Sequence, residues 1–450
     1  LFYMTIVHPL SQQPHCHNMQ AAIYESFGGP IRVQSNVAIP AVPVDGVLIA
    51  VKATGVCRSD WHGWKGHDGD VIQHGLPFCP GHEFSGIIVQ LGSELQREQR
   101  QRTRTTRSTT TTTSEDADST NKSLPLLQVG DRVAVPFILS CGTCRYCHPD
   151  SRDEEAQPTI CAQQQQPGFT QWGSFAEFVA VPRAQRNVRI LPPNVSFVQA
   201  AALGCRFTTA YRALYQQGQY LQLLVARGGK PKSVAILGCG GLGLSCIMLA
   251  AAAAATTKTT TTTTNSPQPT PARIIIAVDV SEKALQKAKT LGATHVVQVQ
   301  PNQSAEEIAK QILQVSSQQE EDGIDLTLDA GGFPITSEAA VWATRPGGRM
   351  VQVGLPHPAP CIPMTRVAGK EITILGSHGF DAEVLPNLLD LVAKGILDPC
   401  QLVEAQVSLE EGCRALEAMD RQSPLGIVMI THFSSTATTN NGGTSACPRL

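Results

Sequence analysis

The segment SVAILGCGGLG, residues 233–243, constrains the fold more than any other stretch of the chain. An apolar strand-like run enters a turn carrying Gly238, Gly240 and Gly243, and an apolar helical stretch follows. In that setting the pattern G-x-G-x-x-G divides the work among its glycines. The first makes a tight turn, the second lets a ligand approach the backbone closely, and the third lets helix pack on strand. The helix start then offers free N–H groups and partial positive charge to a pyrophosphate. RIIIAVDV (273–280), GIDLTLDAGG (323–332) and GGRMVQVGL (347–355) read as further strands, with SEKALQKAKTLG (281–292) as one of the helices between them. Apolar strands alternating with helices predict an α/β fold with a doubly wound parallel sheet buried on both faces.

Asp279 ends the second of these strands. An acid there accepts hydrogen bonds from adenosine ribose hydroxyls and repels a 2′-phosphate, so the reading is NAD rather than NADP. It lies farther past the glycines than the usual spacing of about 20 residues. A Thr-rich low-complexity insertion at 256–270 accounts for the excess.

The preceding region has a different texture. VLIAVKATGV (47–56), GIIVQLG (86–92), VGDRVAVPF (129–137) and GSFAEFVAVP (173–182) read as short strands. An Arg/Gln/Thr-rich stretch at 97–123 reads as a solvated, disordered insertion. Residues 1–18 read as an extension and 433–450 as a disordered tail. The chain has 450 residues, room for two ordinary domains. A formal net charge of -2 gives no reason to expect nucleic acid, and no apolar run of membrane-spanning length appears. Fourteen cysteines without a secretory leader pattern suggest reduced thiols in the cytoplasm, and clustered ones suggest metal.

Cys141-x2-Cys144-x2-Cys147-x13-Cys161 is such a cluster. Four thiolates close a tetrahedral shell around zinc and leave no open position, which predicts a structural ion. Spacing alone does not join Cys57, His82 and Cys205. Two cysteines and a histidine are, however, a known ligand set for a catalytic zinc that keeps its fourth position open.

Taken together, GVCRSDWHGW, PGHEFSG, GDRV, the four-cysteine lobe, LGCRFTTAYRAL, GCGGLG and VDVSEKALQKAKTLGA resemble the zinc-containing medium-chain alcohol dehydrogenases over residues 46–430. The resemblance implies a GroES-like β-rich catalytic domain (19–205), a Rossmann coenzyme domain (206–370) and a return to the catalytic domain (371–432). It implies two zinc ions per chain, Cys57, His82 and Cys205 as ligands of the catalytic one, Glu83 behind the metal, and Asp60 orienting the His82 ring. Ser59 would take the alcohol proton and pass it through the coenzyme ribose to His62. Arg58 would meet the pyrophosphate, Lys283 the adenosine ribose, and Trp64 and Phe137 the substrate. The expected activity is reversible oxidation of a primary or secondary alcohol, in a homo-oligomer, dimer or tetramer. A polyol dehydrogenase and a zinc-free quinone or enone reductase of the same fold are the alternatives. The cysteine lobe departs from the family in its longer stretch before Cys161.

Overall fold

The computed structural model describes residues 18–108, 125–148, 156–225, 232–259, 273–316, 323–422 and 424–433. Much of the Thr-rich sequence, the extension before Asn18 and the tail lie outside them.

Two sheets organise the described residues. One is a six-stranded parallel sheet in the spatial order His295–Gln298, Arg273–Asp279, Lys232–Leu237, Ile324–Asp329, Thr344–Gln352 and Thr373–Gly376. Chain order runs outward in both directions from the pair Lys232–Leu237 and Ile324–Asp329. The crevice beyond their carboxyl ends is therefore a topological switch point, where ligands bind in open α/β sheets. All six residues of Ile324–Asp329 are buried, as a parallel strand covered on both faces requires.

The other sheet is mixed and larger. Val403–Ser408, Ile427–His432, Val47–Val56, Glu83–Leu91, Arg132–Val135 and Arg189–Ile190 follow one another, and Phe178–Val181 also pairs with Val47–Val56. Its register is what builds the site. Gly55 pairs with Glu83, so Cys57 and His82, just beyond the paired residues, leave the sheet at the same end. One apolar core joins the two sheets through Ala53, Leu203, Phe207, Ile236 and Leu244.

Two expectations need correction. The stretch after Ser93 is not disordered throughout: Ser93–Ser108 forms a helix. Glu, Gln and Arg are good helix formers. Leu95 is buried in an apolar core with Leu91, Leu127 and Val133, and Gln99 donates Nε2–H to the Leu127 carbonyl. The remainder of the insertion, 109–123, lies outside the described residues. The boundary at 370 also falls too early. Thr373–Gly376 is the sixth strand of the parallel sheet, and Leu385, Leu388 and Leu389 bury into the core beneath it. The return to the first sheet begins at Val403. No described helix is long and apolar enough to cross a membrane.

Candidate active site and thiolate lobe

Cys57 closes the strand Val47–Val56 and precedes the short helix Arg58–Trp64. Asp60, in the first turn of that helix, is fully buried and accepts three hydrogen bonds. Its Oδ2 takes the Cys57 N–H at 3.0 Å. Its Oδ1 takes the Gly81 N–H at 3.0 Å and lies 2.8 Å from His82 Nδ1. One carboxylate thus fixes both ligand-bearing loops and aims the imidazole, the usual arrangement behind a metal-binding histidine.

Cys205 arrives from a π-helical turn, Leu203–Phe207, kinked at Gly204. A Cβ at Gly204 would stand 2.5 Å from the Glu83 Cβ, so only glycine lets this turn close on the strand. The metal-capable atoms of Cys57, His82, Glu83 and Cys205 then lie within 4.8 Å of one another. His82 Nε2 is buried without a hydrogen-bond partner among the described residues. A buried nitrogen in that state is costly unless something fills its lone pair, and a zinc ion between two thiols and an imidazole fits that donor set. A hydrogen bond from the Cys205 thiol holds Cys57 well below the usual thiol range against the opposing effect of burial, and the Arg206 charge assists.

Glu83 belongs to the cluster but also meets partners outside it. Cys205 N–H donates to Oε1 at 3.1 Å, and Arg206 Nη1 lies 3.1 Å from Oε2. Burial pushes this carboxyl up to about 7, and Arg206 resists the shift. The Phe137 and Phe169 rings lie 6.0 and 4.9 Å from the His82 ring. The His378 ring, which follows the last parallel strand, stands edge-on to Phe137 at 6.4 Å. Neither Phe169 nor His378 carried a signal in the sequence; long-range packing alone brings them here. Arg206 did carry one, a cation inside an apolar run, and sequence reasoning passed over it.

Ser59 is half-buried and His62 exposed, one turn apart on the same helix. Partial burial, then Arg58 and His67, hold His62 below its ordinary value. Trp64 is buried: its indole donates to the Gly29 carbonyl at 2.7 Å, and it belongs to an apolar cluster with Val71 and Phe78. Arg58 stacks 3.5 Å over Trp61 and donates to the Met419 carbonyl at 2.6 Å.

At the switch point, Gly238 adopts φ +94°, and a Cβ there would meet Gly331 Cα at 2.6 Å. A Cβ at Gly243 would collide with the Gly238 carbonyl, while Gly240 faces open space. The helix Gly241–Thr259 starts at this turn and points its first N–H groups into the crevice. Asp279 accepts the Cys239 N–H at 2.7 Å and the Ser281 N–H at 2.8 Å. A carboxylate has about four lone-pair sites, so capacity for ribose hydroxyls remains. Lys283 is exposed on the following helix. The residues fit a dinucleotide.

The four-cysteine lobe has its own geometry. Sγ–Sγ distances are 3.9 Å for Cys141–Cys147, 3.6 Å for Cys144–Cys147 and 3.7 Å for Cys144–Cys161. A regular tetrahedron with metal–sulfur arms of about 2.3 Å has edges of about 3.8 Å. Backbone N–H groups of Thr143 and Cys144 point at the Cys141 sulfur, and those of Cys141 and Gln163 at the Cys161 sulfur. Such donors favour thiolates.

Comparison with known proteins agrees. Residues 44–103 and 116–192 match the profile described as an alcohol dehydrogenase GroES-like domain, and residues 272–394 that of a zinc-binding dehydrogenase. The chain belongs to the zinc-dependent medium-chain alcohol dehydrogenase family. An alcohol dehydrogenase of Geobacillus stearothermophilus is 29% identical over 379 residues, covering 84% of this chain and 90% of that protein. A sorbitol dehydrogenase of Bacillus subtilis (strain 168) is 27% identical over 409 residues, covering 89% and 93%. The structure of an alcohol dehydrogenase from Thermus sp. ATN1 superposes with a TM-score of 0.68 at 27% identity, covering 92% of this chain and all of that one. The chain is an oxidoreductase acting on CH–OH donors, with zinc and a nicotinamide cofactor.

Proposed function

We propose that this enzyme oxidises small primary or secondary alcohols reversibly with NAD, using two zinc ions per chain. Cys57, His82 and Cys205 would hold the catalytic ion, and Cys141, Cys144, Cys147 and Cys161 the structural one. The observation that carries the reading is the buried His82 Nε2 without a partner, gathered with two thiols. Glu83 Oε1 accepts the Cys205 N–H and Oε2 is ion-paired with Arg206, which supports three ligands and a fourth position for substrate. When bound, zinc supplies Lewis acidity that eases ionisation of the alcohol, and the nicotinamide supplies a hydride acceptor.

The chain's own residues do the rest. Asp60 keeps His82 oriented through Nδ1. Phe137 and Phe169 narrow the cleft and exclude water, which favours small substrates. Ser59 Oγ accepts the hydroxyl proton and would pass it through the coenzyme ribose to His62, whose pKa is held below its ordinary value by partial burial and the Arg58 charge and which carries the proton to solvent. Gly240 and the start of Gly241–Thr259 bind the pyrophosphate, with Arg58 and Lys283 as further coenzyme contacts. Asp279 selects NAD. The described cysteines are all free thiols, which supports a cytoplasmic setting. The open edge at Thr373–Gly376 suits assembly as a dimer or tetramer.

Metal analysis combined with an alcohol panel, run with NAD and NADP in parallel, tests the reading. Two zinc ions per chain and NAD-linked oxidation of short alcohols are expected. Turnover undiminished after zinc is stripped, or a clear preference for NADP, would overturn it.

A further inference from the structure

Arg206 is 7% exposed, a cation set among apolar residues. Its guanidinium forks between two parts of the metal pocket. Nη1 lies 3.1 Å from Glu83 Oε2, and Nη2 donates to the Val56 carbonyl, next to Cys57, at 2.6 Å. Its chain neighbour Cys205 holds the other Glu83 oxygen. The stem of the same side chain reaches the other half of the molecule. A Cβ at Gly241, the first residue of the helix after the glycine turn, would stand 2.7 Å from Arg206 Cδ and Nε. The arginine therefore packs against the turn that faces the coenzyme while gripping the two elements that frame Cys57. Close-packed interiors transmit small displacements rather than absorbing them.

We propose that Arg206 is a positioning residue that couples coenzyme binding to the geometry of the metal pocket. Movement of the glycine turn when a dinucleotide binds is passed through the guanidinium to Glu83 and to the Val56–Cys57 strand end. The coupling rests on the metal and coenzyme sites of the proposed dehydrogenase.

The test uses the full chain with cobalt(II) in place of zinc. Visible absorption reports the ligand field, and NADH fluorescence reports coenzyme binding separately. Wild type is expected to change its cobalt spectrum when NADH saturates. Arg206→Gln should bind NADH about tenfold more weakly, within the usual range of coupling between sites, and lose the spectral change at saturation. Arg206→Lys keeps the charge without the fork, so it should recover part of the affinity and little of the spectral change. A full wild-type spectral change in Arg206→Gln would overturn the proposal, and so would its absence in a wild type that binds both cobalt and NADH. A wild type that binds neither would instead overturn the dehydrogenase reading. If Arg206→Gln does not fold, because Glu83 is left buried and alone, the double variant Arg206→Gln/Glu83→Gln removes that charge. The spectral change should be lost there too, and its retention would be equally decisive against the coupling.

Discussion

The two clusters proposed to hold zinc are built in opposite ways. Cys141, Cys144, Cys147 and Cys161 come from one loop-rich lobe, and backbone N–H groups, with the Thr143 hydroxyl, support the sulfurs. Cys57, His82 and Cys205 come from three distant segments. They meet only because a strand register, a buried aspartate and a kinked helical turn agree. The lobe carries four sulfurs and closes its shell on itself. The buried cluster mixes sulfur and nitrogen, and its carboxylate meets Arg206 and a backbone N–H. A shell that closes on itself suits holding a fold together, and one that stays open suits chemistry.

Three substitutions sharpen that contrast, the largest effect first. Cys57→Ala removes a proposed ligand from the buried cluster. Turnover should fall by about a thousandfold or more, since Lewis acidity contributes several kcal/mol to the barrier, while NADH titration still shows coenzyme binding. Near-normal kcat would end the catalytic assignment. Asp60→Asn leaves the ligands in place and loosens both loops. Zinc affinity at that site, read by competition with a chelator, should drop roughly 10–100-fold; unchanged affinity would mean that Asp60 is merely a fold element. Cys144→Ser opens the lobe instead. The melting temperature should fall by several degrees, for a loss on the order of 2–3 kcal/mol, with activity per folded molecule close to wild type. A melting temperature that stays put alongside lost turnover would reverse the roles of the two clusters.

The same contrast explains what could be read from the sequence. Cysteines a few residues apart declare themselves, because the spacing is itself the geometry. The glycine turn is equally plain, since the turn itself asks for φ +94° at Gly238 and Gly243 packs on the Gly238 carbonyl within the same strand–turn–helix unit, although Gly238 also meets Gly331 from a neighbouring strand's loop. Cys57, His82 and Cys205 became a set only by resemblance, because no local rule joins residues so far apart. Phe169 and His378 reach the cleft through tertiary packing, to which their neighbours in sequence give no clue. Trp64 stands in a matching motif, while its hydrogen bond to the Gly29 carbonyl and its place in the cluster with Phe78 come from tertiary packing. The edge strand Thr373–Gly376 is short and mostly exposed, so its pattern did not stand out. The helix beginning at Ser93 looked like loop composition until Leu95 and Gln99 found partners.

Ile427–His432 lies against Val47–Val56, pairing Val428 with Val56 right beside Cys57. A ribosome must therefore synthesise the chain as far as Ile427 before the strand that ends at Val56, beside Cys57, gains its neighbour on that flank. The catalytic half cannot be expressed as a simple N-terminal fragment, and shortening the chain before Ile427 should damage a pocket whose ligands were all translated long before.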